Sequence, residues 1–139
     1  MKNLNLSLSE PLNPTLTLQV QAGANQGPQL SQPKRAQINA LVDTGFDDYI
    51  SIPARLAQDL GLEIIGQTEV ELANGSQYMV SVAVGQVSLV AYPEITLDVN
   101  ILLGDDEEAL VGTRLLAGIC DKFSIDFKHS HLILEGLPV

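Results

Sequence analysis

Tryptophan is absent from the 139 residues, only three Phe and three Tyr are present, and there is one cysteine. The interior must therefore be built from aliphatic side chains, as in an ordinary globular domain. Cys120 has no second cysteine to pair with, so an intrachain disulfide is excluded and a reducing, cytoplasmic setting is expected. Basic residues are also scarce. Seven Lys and Arg stand against seventeen Asp and Glu, a net charge of −10. Such a chain cannot neutralise a ladder of phosphates, which argues against nucleic acid, and it is repelled by an anionic lipid surface. Long apolar runs are missing too. No stretch approaches the roughly 18 uninterrupted apolar residues of a membrane helix, and the start, Met1-Lys2-Asn3-Leu4-Asn5-Leu6, alternates instead of forming the apolar block of a signal peptide.

What remains is one domain's worth of chain, long enough to bury a core without staples. Period-two alternation marks strands at Leu4, Leu6 and Leu8 and at Leu16, Leu18 and Val20. From Gly23 to Arg35 the chain is rich in Gly, Gln, Asn and Pro and reads as a long exposed loop. Residues 1–35 are expected to supply N-terminal strands and this loop to the same domain as 36–139. A strand is predicted over Ile38–Val42, and a helix follows, with Pro53 in its first turn, Leu56 and Leu60 on one face, and Gly61 as its stop. Val70–Val84 reads as a hairpin whose Asn74-Gly75 pair suits a type I′ turn. Further strands are predicted at Val87–Val90, Ile95–Leu103, Phe123–Phe127 and Leu132–Leu134, and a second short helix at Gly112–Ala117. Many short strands with two short helices predict an all-β, closed barrel.

One carboxyl stands out. Ile38-Asn39-Ala40-Leu41-Val42 runs as an apolar strand into Asp43-Thr44-Gly45, where an acid at the end of a buried run should lose water on most sides. Thr44 adds a hydroxyl that both donates and accepts, and Gly45 allows a sharp turn. Asp-Thr-Gly is also good turn chemistry, so the triplet alone is weak. Its company gives it weight: Phe46-Asp47-Asp48-Tyr49-Ile50-Ser51-Ile52-Pro53 directly after it, then Val70-Glu71-Leu72-Ala73-Asn74-Gly75-Ser76, then Leu110-Val111-Gly112-Thr113-Arg114-Leu115-Leu116, and finally Ser124-Ile125-Asp126-Phe127.

In that order these segments resemble the retropepsin-like aspartic proteases of the small single-domain prokaryotic type, from about Gln37 to Leu134. The resemblance implies a retropepsin-like barrel whose half-site is completed by a homodimer. It implies an aspartic endopeptidase that acts on extended peptide or unfolded protein with no metal or organic cofactor. It makes Asp43 the catalytic acid and Thr44, Gly45 and Gly112 the support of the active loop. Phe46, Asp47, Ala73, Asn74, Gly75 and Tyr78 become candidates for substrate binding and the flap, although Tyr78 also reads as a core-facing strand residue.

The residues themselves require a partner acid. Carboxyl-only hydrolysis uses two groups sharing one proton, and no other Asp of this chain ends an apolar strand before Thr or Ser plus Gly. Asp126 comes closest, but its alternation with Ile125 and Phe127 places it on a wet face. Three departures from the viral pattern stand out: Phe46 where a small residue is usual, Arg114 one position late for an ion pair with Asp47, and a single Gly in the hairpin tip. With Phe46 filling the cleft, the same fold would give a silent peptide-binding or scaffolding dimer.

Other chemistries have less support. Cys120 lies in Leu115-Leu116-Ala117-Gly118-Ile119, where a small buried hydrophobe is expected. His129-Ser130-His131 reads as a turn without a third metal ligand, and Asp105-Asp106-Glu107-Glu108 lacks the spacing of a calcium loop and reads as solvated.

Overall fold

The computed structural model describes residues 2–8, 12–23, 34–71, 74–105 and 107–139. In chain order these form β1 (Lys2–Ser7), β2 (Thr15–Gln21), β3 (Arg35–Val42), β4 (Ile50–Pro53), α1 (Ala54–Leu60), β5 (Glu63–Glu71), β6 (Gln77–Leu89), β7 (Thr96–Gly104), β8 (Leu110–Val111), α2 (Thr113–Ile119), β9 (Lys122–Asp126) and β10 (His131–Leu137). Six strands close a barrel in the order β2-β3-β8-β4-β7-β6, sealed by pairing of β2 with β6. A second sheet, β1-β10-β9, lies beside it. The expected closed, retropepsin-like β-barrel with two short helices is the fold observed.

Alternation decides which side chains fill the barrel. Leu16, Leu18 and Val20 of β2 are at most 1 % exposed, while Thr15, Thr17 and Gln19 between them keep contact with solvent. Ile50, Ile52, Ile101 and Val111 complete the same core from the other side. Leu132, Leu134 and Leu137 anchor the second sheet to it, with Leu4, Leu6, Phe123 and Ile125 packed against them. Dispersion and water release from these aliphatic chains stabilise the barrel, each fully buried Leu or Ile contributing about 1.5–3 kcal/mol before entropy is counted.

Where the strands lie differs in several places from the alternation reading, and the two-residue β8 was not predicted. Ile50–Pro53 is a strand, β4, although only four residues long. β5 starts at Glu63, seven residues before Val70, because its first half is solvent-exposed and shows no alternation. β6 runs unbroken to Leu89, absorbing the separate strand predicted at Val87–Val90. The residue responsible is Gly85. Along one edge, β6 pairs with β5 as far as Val84 and with β2 from Gln86 onward. A Cβ on Gly85 would lie 2.8 Å from the Gln21 carbonyl oxygen and 3.0 Å from Ile101 Cδ1. The glycine marks a close approach of three strands, not a break. Finally, Arg35 opens β3, and the rest of the long loop from 24 to 33 lies outside the described residues.

α1 follows the sequence signals closely. Pro53 precedes it at φ −58° and Gly61 ends it in the left-handed region at φ 67°, its N–H returning to the helix carbonyls. Its buried residues are Ala57 and Leu60, and Leu56 packs only partly against the core.

Candidate active site

β3 and β4 are consecutive in the chain but do not pair with each other. β8 lies between them, parallel to β3 through Leu41–Leu110 and Val42–Val111, and antiparallel to β4 through Ile50–Val111. The connection from 43 to 49 must therefore loop over the end of β8 and return on its far side. Asp43 stands at the start of that loop, where its N–H donates to the Val111 carbonyl at 2.9 Å.

Gly112 fixes the loop from beneath. Its N–H donates to the Tyr49 carbonyl at 3.0 Å, and the next two amides, of Thr113 and Arg114, reach the carbonyls of Phe46 (2.9 Å) and Asp48 (3.3 Å). Thus three successive backbone donors at the start of α2 satisfy three carbonyls of the 43–49 loop. A Cβ on residue 112 would sit 2.7 Å from the Phe46 carbonyl oxygen and closer still to that of Asp48. Only glycine permits this approach, because the obstacle is backbone. The predicted contact of Gly112 with the loop is present.

Within the loop, Gly45 N–H donates to Asp43 Oδ1 at 2.9 Å and Phe46 N–H to the Asp43 carbonyl at 3.1 Å. Asp48 Oδ1 accepts from Tyr49 N–H at 2.8 Å. One carboxylate oxygen of Asp43 is therefore held by the turn it begins. Asp43 is half-buried, and Thr44 and Gly45 are exposed. The sequence predicted an acid short of water on most sides; in one chain it is open on one side, since the loop crosses the barrel end instead of entering the core. Phe46 is half-buried and Asp47 exposed. Arg114 does not restore the ion pair of the viral pattern. Its Nε donates to the Asp47 carbonyl at 3.4 Å, and its guanidinium lies 5.8 Å from the Tyr49 ring centre.

The hairpin residues are carried by β5 and β6, which do not pair with β3, β4 or β8. Beyond the row Ile52–Leu103–Ser81–Gln67, β5 and β6 continue as a two-stranded ribbon from Thr68–Val80 to Glu71–Gln77. Its connection spans 72–76, longer than the two-residue turn predicted. Gly75 has φ +86°, and with Glu71 paired to Gln77 the connection is not a two-residue type I′ turn. Asn74 instead accepts from Ser76 N–H at 3.0 Å through its side chain. Tyr78 is 42 % exposed, which overturns its reading as a core-facing residue. Ala73, with Leu72, lies outside the described residues.

The remaining titratable groups occupy ordinary places. Cys120 is buried, its thiol 3.4 Å from the Leu116 carbonyl, and burial pushes its pKa up, away from the reactive thiolate. His129 and Ser130 form the β9–β10 turn while His131 opens β10. His129 donates from Nδ1 (2.8 Å) and from its backbone N–H (3.1 Å) to Asp126, which lowers the Asp126 pKa. That local role accounts for Asp126 without catalysis. Among the described residues no group of His, Cys, Asp and Glu could hold a metal ion.

The Asp-Thr-Gly loop thus crosses a third strand and is seated on a glycine that precedes α2. The chain belongs to the aspartyl protease family, whose model matches residues 29–115. Among solved structures it is similar to a retropepsin-like aspartic protease from Rickettsia conorii, at 20 % identity and a TM-score of 0.61, over 96 % of this chain and 89 % of that one. At this identity the likeness is one of fold. No protein in the curated collection searched matches the chain.

Proposed function

We propose that this chain is an aspartic endopeptidase whose working form is a homodimer, each copy supplying its Asp43 to one shared site. The observation that supports the reading is the seating of the Asp43 loop on Gly112, with Asp43 only half-buried. One acid is half of the chemistry. Two carboxyls brought within about 3 Å share a proton, because both cannot ionise at that separation. The ionised member removes a proton from water while the neutral member donates to the scissile carbonyl oxygen. Gly45 N–H, already on Asp43 Oδ1, orients the carboxyl, and the hydroxyl of Thr44, an exposed residue, would bond the facing loop of the second copy. Peptide would lie extended across Phe46 and Asp47 beneath the β5–β6 ribbon, with Asn74, Gly75 and Tyr78 as its cover. The buried, unpaired Cys120 suits a reducing compartment, and we place the enzyme in the cytoplasm.

Two measurements test this together. Light scattering at micromolar concentration is expected to give twice 14.9 kDa, and a strict monomer rules the mechanism out. Cleavage of an unfolded protein at mildly acidic pH is expected to fall at least about a thousand-fold in Asp43→Asn, with melting temperature unchanged. A dimer that cleaves nothing between pH 3 and 7 would instead be a peptide-binding module.

A further inference from the structure

The net charge is not spread along the chain. Residues 56–113 contain ten acids and no Lys or Arg, while the rest of the chain has seven of each. All ten units of excess negative charge therefore belong to α1, β5, the β6–β7 connection, β7 and the stretch before β8. Two apolar and structural features lie in the same region.

The first is an open sheet edge. β5 is the last strand of its sheet, pairing with β6 alone, so among the described residues the far edge of Gly66–Glu71 carries no ladder. Such an edge offers a row of backbone donors and acceptors to an extended segment. It carries exposed Glu69 and Glu71. The second is a groove of about 550 Å³ between α1 and the ribbon, lined by Ala57, Leu62, Ile64, Met79, Leu103 and Asp105. Ile64 is 60 % exposed and Met79 57 %, although both are large and apolar. Neither residue is in the Asp43 loop, and the groove shares none of its lining with it.

We propose that this edge and groove form a docking site for an extended, basic polypeptide segment. Its backbone adds as a strand to Gly66–Glu71, an apolar side chain enters the groove between Ile64 and Met79, and Lys or Arg side chains meet Glu69, Glu71 and Asp105. Charge selects this occupant. A second copy would bring the same acidic stretch against itself: a two-fold pairing of β5 about Gln67 sets Glu63 of each copy opposite Glu71 of the other. Nucleic acid and anionic lipid are repelled by the same residues. The site is independent of the Asp43 centre and stands whether or not the chain cleaves peptides.

The test uses the full chain carrying Asp43→Asn, so that no probe is cut, and a fluorescent eight-residue peptide alternating Lys with Val or Leu. Fluorescence anisotropy is expected to show saturable binding below millimolar peptide, and hydrogen exchange to slow at 66–71. Glu69→Lys with Glu71→Lys is expected to raise Kd about ten-fold, and Met79→Ser to raise it further. Absence of binding at 1 mM peptide overturns the proposal, as does equal binding of the analogue with Glu for Lys. Protection at 43–46 in place of 66–71 overturns it too, showing the active loop to be the site. Protection of β5 that depends on protein concentration without peptide would make a second copy the occupant, against the proposal.

Discussion

The Asp43 loop and the β5–β6 ribbon are both turns between strands, yet they are held in opposite ways. The loop is held from outside itself: β8 beneath it, three amides from 112–114 into its carbonyls, and a glycine that its own backbone overlies. Among the described residues, the ribbon beyond Gln67 is held by its own ladder and by an Asn74–Ser76 contact at its tip. Position in the first is imposed by the tertiary structure, and a small change beneath it displaces the acid. In the second, changes stay local. Under the proposed function, the first would be the fixed centre and the second its cover.

Substitutions can break or sharpen this comparison. Gly112→Ala should have the largest effect, since a methyl group there meets backbone that cannot rotate away. A loss of about 3 kcal/mol or more is expected in urea unfolding, with proteolysis abolished. A tolerated alanine would mean that the loop does not rest on Gly112. Gly85→Ala should rank next, at about 1–3 kcal/mol, because one of the two close neighbours is a side-chain methyl of Ile101 and only the other, the Gln21 carbonyl, is backbone. In the ribbon, Gly75→Ala places a side chain at positive φ in open space, and about 1 kcal/mol is expected, read as a small shift in melting temperature. An effect as large as that of Gly112→Ala would erase the distinction between the two turns.

Two smaller predictions concern groups outside both regions. Burial raises the Cys120 pKa, so its reaction with a disulfide reagent at pH 8 should be slow in the native protein and fast in urea. The His129 hydrogen bonds hold the Asp126 carboxyl below its ordinary value of 3.8. A depressed folded-state pKa means that the stabilisation is present above the unfolded value and is lost as pH falls through the folded one. Titration of Asp126 by carbon NMR should therefore show a midpoint below 3.8 that returns toward it in His129→Ala.

Alternation and punctuation made much of this fold legible. Leu16-Thr17-Leu18-Gln19-Val20 shows its buried face directly, and Pro53 and Gly61 bracket α1 because their φ preferences act within the local chain. Asp43, Gly45 and Gly112 were legible as a set because their order and residue types match a family pattern. β4 was missed because four residues carry too little pattern. The first half of β5 was missed because an exposed edge strand has no buried face to enforce alternation. Asn74-Gly75 suggested a type I′ turn, but that preference holds for a two-residue connection, and the strands here stop pairing at Glu71 and Gln77.

The amino-acid order by itself determined an aliphatic, disulfide-free β domain with one acid at the end of an apolar strand, because side-chain period and residue chemistry are local properties. Only the tertiary structure decided that β8 lies between β3 and β4 and that Gly85 joins three strands. Those are contacts between residues far apart in the chain, fixed by which backbone groups find partners once the barrel closes.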